Sequence, residues 1–243
     1  MKRNMVIAQL RGTIFAPLSI GYTPETYSTF RDLLLPEAKA YNANPTEMII
    51  PGGNLNDPQY GLPWRLSNGE YNIVFLPGKI DIILSIDANY SSDIEKEFCN
   101  KCSTWFSKIL STQGQIRVNR IAYAPLYAIR LDNTLSSEMI WGRMLKNTLV
   151  DGTSMQDIKL NFLLKRKIPL NGTDIQMNLL YNFSDGMQIK QIEDRQEVYK
   201  VVLLQLDLNS IPESPLALDS MGIKDFFNCI LVVKNDLVDH VAE

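Results

Sequence analysis

The sequence predicts an α+β fold with a mainly antiparallel sheet and two long amphipathic helices. Two observations lead to this prediction. Segments with alternating apolar residues are joined by short turn signals, and these segments are separate in the chain from two stretches with helical periodicity. Strands segregated from helices in this way are typical of antiparallel α+β proteins.

The clearest strand pair runs from Tyr71 to Ile86. Pro77-Gly78 separates its two arms, and this dipeptide favours a tight turn because proline presets φ and glycine tolerates positive φ. Period-two alternation is typical of a half-buried strand. It places the following apolar side chains on one face of each arm: Tyr71, Ile73 and Phe75, then Ile80, Ile82, Leu84 and Ile86.

The N-terminal third combines one strand with less regular sequence. Met5 to Ala16 predicts a strand in which Gly12 marks a bulge. A helix is expected around Tyr27 to Leu35, ended by Pro36. The stretch Asn42 to Pro63 is dense in Asn, Pro and Gly and predicts a long irregular loop, of the kind that is often functional or mobile.

The first long helix is predicted over Asp93 to Leu110. Ser92 and Glu95 fit the S-x-x-E capping box at its start. This pattern puts Glu95 on the polar side of the helix. The apolar stripe follows spacings of four, four, three and four residues: Ile94, Phe98, Cys102, Trp105 and Ile109.

Strand character returns after this helix. Gln115 to Leu131 predicts a strand in which Pro125 marks a bulge, a bend or a sheet edge, and Leu135 to Val150 predicts a helical or irregular connection. Asn171-Gly172 predicts a hairpin turn, and Ser184-Asp185-Gly186 predicts a turn at the end of a strand. Three further strands are expected: Ile158 to Ile168, Thr173 to Phe183 and Val198 to Leu208.

The last segment, Gly222 to Val241, predicts an amphipathic helix. Strands followed by a helix therefore occur twice, over residues 5–110 and 115–241. The whole chain, 1–243, is interpreted as one α+β domain. Two similar halves within it are a hypothesis, because residue-level similarity between them is slight.

The amino-acid composition limits the kinds of protein to which this chain could belong. The chain is 45% hydrophobic and 21% charged, with a formal net charge of −3. These values are typical of a soluble globular protein and offer no electrostatic attraction to nucleic acid or anionic membrane. No signal peptide or membrane span is expected, and three cysteines are too few for a disulfide framework. The expected location is the cytoplasm.

Few residues are suited to catalysis. His240 is the only histidine and lies near the C-terminus, so Ser-His-Asp or Cys-His chemistry has little to work with. Cys99 and Cys102 form a C-x-x-C pair, but it falls two turns into the predicted helix, where packing is the commoner role. Phosphate-binding glycine motifs do not occur, and we expect no cofactor and no catalytic residues.

One acidic triplet offers an alternative. Asp157 and Lys159, with Asp132 or Asp151 upstream, have the residue types of a metal-dependent nuclease. The pattern is short enough to arise by chance, and Lys159 also suits a solvated strand face. The basic run Lys165 to Lys167 is interpreted as an edge strand protected by charge rather than as a nucleic-acid contact.

Candidate partner-binding residues are aromatic. Tyr123 and Tyr127 share a strand face and would form a binding surface if they are exposed. Trp64 is the third candidate, although core packing is the commoner role for a tryptophan.

Three segments resemble a family of bacterial proteins built from SecB-like sheet-plus-helix units. They are Trp64 to Gly69 (WRLSNG), Arg117 to Tyr123 (RVNRIAY), and Val201 to Leu208 (VVLLQLDL) before a helix with Phe226-Phe227. The resemblance implies two SecB-like halves and no catalytic residues. It also implies a protein-binding scaffold, in its sharpest form a chaperone-like protein that captures extended polypeptide.

The leading hypothesis is therefore a non-enzymatic cytoplasmic protein that binds another protein or an extended polypeptide, and that is able to form a homo-oligomer. Binding would use strand edges or an apolar groove, with the loop Asn42 to Pro63. The alternative is a metal-dependent hydrolase centred on Asp157 and Lys159. A redox or zinc module at Cys99 and Cys102 is the third option.

Overall fold

A computed structural model describes residues 4–15, 46–49, 64–67, 71–76, 78–112, 118–132, 159–170, 172–192, 195–211 and 218–242. The helix expected around Tyr27 to Leu35 and the connection Leu135 to Val150 lie outside these residues, as does most of the loop Asn42 to Pro63.

The described residues form ten strands and two helices, and every strand pairing is antiparallel. The predicted α+β class is confirmed. The strands are Met5–Phe15 (β1), Thr46–Ile49 (β2), Trp64–Ser67 (β3), Tyr71–Leu76 (β4), Lys79–Asn89 (β5), Arg120–Tyr123 (β6), Leu126–Arg130 (β7), Lys159–Leu170 (β8), Thr173–Ile192 (β9) and Arg195–Ser210 (β10). The helices are Ser92–Thr112 (α1) and Ser220–Ala242 (α2).

The strands form one sheet in the order β2-β3-β4-β5-β1-β6-β10-β9-β8, and β7 also pairs with β1 and β10. The order is the same in both parts of the chain. In the first part, β1 lies beside β5, the last strand of the meander β3-β4-β5. In the second part, β6 and β7 lie beside β10, the last strand of the meander β8-β9-β10. This arrangement is a Greek-key order. A helix then follows. A duplication stays a prediction, and this repeated order favours it.

The predicted central hairpin is confirmed. β4 and β5 pair from Tyr71 opposite Leu84 to Leu76 opposite Lys79. Gly78 takes φ 76° in the turn, a value that a side chain would resist. Tyr71, Ile73 and the even-numbered isoleucines of β5 up to Ile82 are buried, as the alternation predicts.

The second hairpin is longer than the sequence indicates. Gly172 turns β8 into β9 with φ 73°, which confirms the Asn171-Gly172 prediction. The turn predicted at Ser184-Asp185-Gly186 is wrong, because β9 continues through it to Ile192 and Gly186 pairs with Val201. A Cβ on Gly186 would lie 3.0 Å from Leu203 Cδ1, so this glycine makes room for a neighbouring strand.

Gly12 likewise serves close packing rather than a bulge. The register of β1 is continuous through Gly12, and its irregularity lies between Ile7 and Gln9. The predicted bulge position is therefore wrong. A Cβ on Gly12 would lie 2.6 Å from Cys102 Sγ and 3.3 Å from Phe227 Cζ. Both helices thus approach the sheet backbone at this residue.

Two further predictions have definite outcomes. Pro125 lies in the short break between β6 and β7, and its carbonyl accepts a hydrogen bond from Leu206 N at 3.0 Å. Of the predicted alternatives, a sheet edge is wrong, because both strands pair with β1 and β10. Thr46–Ile49, inside the predicted irregular loop, forms β2 and pairs with β3. The loop prediction is wrong for these four residues, because pairing with β3 overrides their local composition.

Both helices pack on one face of the sheet, which we call the helix face. The apolar stripe of α1 is confirmed, with Phe98, Cys102, Trp105 and Ile109 all buried. The stacked rings of Phe106 and Phe227, with centroids 6.2 Å apart, join α1 to α2. The sheet contributes alternate β10 residues to the same core: Val202, Leu204, Leu206 and Leu208.

Candidate partner-binding site

The outer edge of β8 is the end of the described sheet. Its outward backbone N–H and C=O groups have no strand partner within the described residues. The corresponding strand of the first half, β3, is covered on its outer side by β2. An uncovered edge of this kind is able to pair with another extended chain.

β8 carries exposed apolar side chains on both faces. Phe162 is 41% exposed, Leu163 57% and Leu164 51%. α2 covers β8 only near its C-terminal end, where Ile168 and Leu170 are buried. Phe162 and Leu164 share one face of this strand, and exposed apolar side chains along an unpaired edge are typical of an interaction site.

The outer end of the β9–β10 hairpin carries further exposed apolar side chains. Met187, Ile189 and Val198 are 74%, 64% and 58% exposed. Residues directly opposite each other across paired strands share a face, and the register puts all three on the helix face. Phe162 and Leu164 are on that face too, opposite Tyr181 and Leu179. We call these five residues the apolar surface: Phe162, Leu164, Met187, Ile189 and Val198.

The opposite face of β8 is basic. Lys159, Lys165 and Lys167 are exposed there, opposite Ser184, Asn178 and Gln176 of β9. Arg166 points to the helix face and pairs with Asp236 of α2, Nη1 to Oδ2 3.3 Å. Within the described sheet, the interpretation of Lys165 to Lys167 as part of a charged edge strand is confirmed.

A second unusual feature is a buried charge pair between the two helices. Lys234 of α2 and Glu95 of α1 are both fully buried, and Lys234 Nζ pairs with Glu95 Oε2. Tyr123 Oη donates to Glu95 Oε1 at 2.9 Å, and Tyr127 Oη donates to the same atom. Lys234 Nζ also donates to Tyr90 Oη at 2.9 Å. We call these five residues the buried network.

The buried network connects α1, α2 and the central strands through charge-assisted hydrogen bonds. Burial, more than the nearby Glu95 carboxylate, holds the pKa values of Tyr123 and Tyr127 well above the usual range for tyrosine. Both phenols are therefore protonated donors at neutral pH. A carboxylate that accepts from these two phenols and from the Lys234 ammonium, in a position closed to solvent, is suited to fixing the helices on the sheet.

The predicted position of Glu95 is wrong. It is not on the polar side of α1, and its carboxylate does not cap the helix but faces the core. Ser91 makes the N-terminal contacts instead, with its Oγ accepting from Asp93 N at 3.2 Å. The sequence does contain a signal for the burial of Glu95. It precedes Cys102 by seven residues, about two helical turns, and so lies on the apolar stripe.

The aromatic candidates for partner binding have mixed outcomes. Tyr123 and Tyr127 are both 0% exposed. The prediction that they bind a partner required them to be exposed, and they are not. Their hydroxyls face Glu95 because a buried phenol needs an acceptor. Trp64 lies in β3, but its side chain is outside the described part of the structure, and its partner-binding role stays a prediction.

Within the part of the chain that the structure describes, the residues of the alternative functions do not converge. Cys99 and Cys102 are buried in α1, and burial is the main cause that raises both thiol pKa values. Asp157 lies outside the described residues, whereas Lys159 is exposed at the start of β8. His240 is in the last turns of α2. Among the described side chains, no three His, Cys, Asp or Glu residues are placed to hold a metal ion.

The buried phenols predict an alkaline loss of stability. An unfolded tyrosine ionises near pH 10, and the folded pKa values of Tyr123 and Tyr127 are higher. Above pH 10 the unfolded chain therefore releases protons that the folded chain retains, and the free energy of unfolding falls by up to about 1.4 kcal/mol per pH unit for each group. In denaturant unfolding between pH 9 and 11, the free energy of unfolding should fall less steeply with pH for Tyr127→Phe than for the native protein. Identical slopes would contradict this.

No protein-family model matches the chain, and a search of curated proteins gives no match either. Neither α1 nor α2 is long and apolar enough to span a membrane.

Proposed function

We propose that the protein is a non-enzymatic scaffold that binds an extended polypeptide as an added strand along the outer edge of β8. The observation that carries this proposal is that β8, the end strand of the described sheet, also carries exposed Phe162, Leu163 and Leu164. In strand addition, backbone hydrogen bonds give affinity, and alternate side chains give specificity. The SecB-like resemblance implies the same class of partner.

The two faces of β8 define the chemistry of the added strand. Its side chains on the helix face would contact Phe162 and Leu164, and those on the other face would lie beside Lys159, Lys165 and Lys167. Cross-strand neighbours lie about 5 Å apart, close enough for opposite charges to attract. The favoured partner is therefore a segment in which apolar and acidic residues alternate.

A second copy of the chain fits this edge poorly. Residues 159–167 of β8 contain four basic and no acidic side chains: Lys159, Lys165, Arg166 and Lys167. Antiparallel pairing of two such strands would bring these cations together, and directly opposed like charges destabilise a sheet. The charge of β8 thus favours a heterologous acidic partner over self-association through this edge.

A peptide of nine residues that alternates valine and glutamate tests the proposal. It should bind saturably in a fluorescence-anisotropy titration, and the matched valine–lysine peptide should bind at least about tenfold more weakly, because it opposes like charges. Methylation of alternate backbone nitrogens in the glutamate peptide should also weaken binding, because strand addition needs these N–H donors.

Substitutions locate the binding to β8. Leu164→Ser should weaken binding of the glutamate peptide by roughly three- to tenfold through lost apolar contact. Met221→Ser is the matched control, since Met221 is 67% exposed but lies in α2 and not on β8. Equal affinity of the methylated and unmethylated peptides would overturn the strand-addition proposal.

A further inference from the structure

A cavity of about 290 Å³ lies on the face of the sheet opposite the apolar surface. Two adjacent cross-strand rows form its floor. Asn161, Asn182 and Gln205 are opposite one another on β8, β9 and β10, and Leu126 of β7 continues this row. The second row is Lys159, Ser184 and Leu203.

The described polar side chains that line this cavity lie close together but make no hydrogen bonds with one another. Within the described part of the chain, the side chains of Lys159, Asn161, Asn182, Ser184 and Gln205 make no hydrogen bond to another protein group. Paired strands lie about 4.8 Å apart, so the three amides span roughly 10 Å. A few convergent polar groups around a partly apolar floor are typical of a small-molecule site.

The charge of the cavity selects an anion. Among the described residues that line the cavity, Lys159 is the charged one and none is acidic. The backbone N–H groups of β9 and β10 beneath the cavity are in strands paired on both sides, so the donors that these strands offer are side chains. One cation and several neutral donors match a singly charged carboxylate better than a phosphate dianion, which proteins usually hold with arginine or helix N-termini.

We propose that this cavity binds a small carboxylic acid that also carries an amide or hydroxyl group and an aliphatic portion. The carboxylate lies against Lys159 and Ser184. The amide or hydroxyl group bonds to the row of Asn161, Asn182 and Gln205, and the aliphatic portion covers Leu126 and Leu203. This site does not depend on strand addition at β8, because most of its lining lies on β7, β9 and β10.

A matched pair of probes tests the carboxylate. N-acetyl-L-leucine carries all three features, and N-acetyl-L-leucine amide has the same shape without the charge. In a ¹H–¹⁵N NMR titration, the acid should give saturable shifts of the side-chain amides of Asn161, Asn182 and Gln205 at millimolar concentration, as expected for so small a ligand. The neutral amide and inorganic phosphate should each bind at least about tenfold more weakly, a loss of about 1.4 kcal/mol.

Three variants place the ligand. Lys159→Met keeps the apolar stem and removes the charge, and Asn182→Leu removes the central amide; each should weaken binding at least about tenfold. Lys165→Met, on the same face of β8 but outside the cavity, should leave affinity unchanged. Because Asn182 is not on β8, Asn182→Leu should also leave binding of the valine–glutamate peptide intact. The proposal is overturned if the acid and its amide bind equally, if neither shifts these resonances, or if Lys165→Met matches Lys159→Met.

Discussion

Replacing Lys234 by methionine is expected to lower the free energy of unfolding by about 3–5 kcal/mol, because it leaves the Glu95 carboxylate buried without its cation. Methionine matches the length of the lysine stem, so loss of packing contributes little. The two tyrosine donors still reach Glu95, but they cannot neutralise its charge. Denaturant unfolding followed by circular dichroism measures the change.

Two controls distinguish the effect of the buried charge from the effect of substituting any lysine in α2. Lys224→Met is also in α2 but exposed, and it should change stability by less than about 0.5 kcal/mol. Adding Glu95→Gln to Lys234→Met should recover most of the loss, because the neutral amide still accepts from Tyr123 and Tyr127. A Lys234→Met variant as stable as Lys224→Met would show that the buried network contributes nothing.

The second large effect is expected at Gly12. Gly12→Ala should cost about 1–3 kcal/mol, because its Cβ would lie 2.6 Å from Cys102 Sγ in a closely packed core. The flanking register of β1 with β5 and β6 leaves little freedom for the backbone to move away. The measurement is again the midpoint and slope of denaturant unfolding.

A double-mutant cycle tests the cause. In a Cys102→Ala background the sulfur is gone, and the nearest remaining atom of residue 102 is its Cβ at 3.4 Å, an ordinary contact. Gly12→Ala should then cost less than half of its effect in the native background. Equal costs in both backgrounds would mean that the clash with Cys102 is not the source of the loss.

Local patterns predicted the elements with short-range signals. The β4–β5 and β8–β9 hairpins follow from turn residues whose positive φ the structure confirms, Gly78 and Gly172. The α1 stripe follows from helical periodicity, because a helix buries residues on one side whatever packs against it. These features depend on residues close in the chain, so the sequence contains enough information to predict them.

The errors arise where a residue responds to a distant neighbour. Glu95 fits a capping box, yet Lys234, 139 positions away, makes its burial favourable. Gly186 fits a turn, but the structure places it in a strand where a side chain would contact Leu203 of β10. Gly12 fits a bulge, but a side chain there would clash with Cys102 of α1. For the candidate site, the exposure of Phe162 and Leu164 depends on how far α2 reaches over β8, which local periodicity does not encode.

The central claim is that the outer edge of β8 accepts an extended strand, and hydrogen exchange at backbone amides tests it most directly. Saturating valine–glutamate peptide should slow exchange at alternate amides between Lys159 and Lys167, because only every second N–H of an edge strand faces outward. The β1 and β5 amides, paired in the sheet interior, should stay unchanged. Binding of the peptide without new protection in β8 would contradict the account.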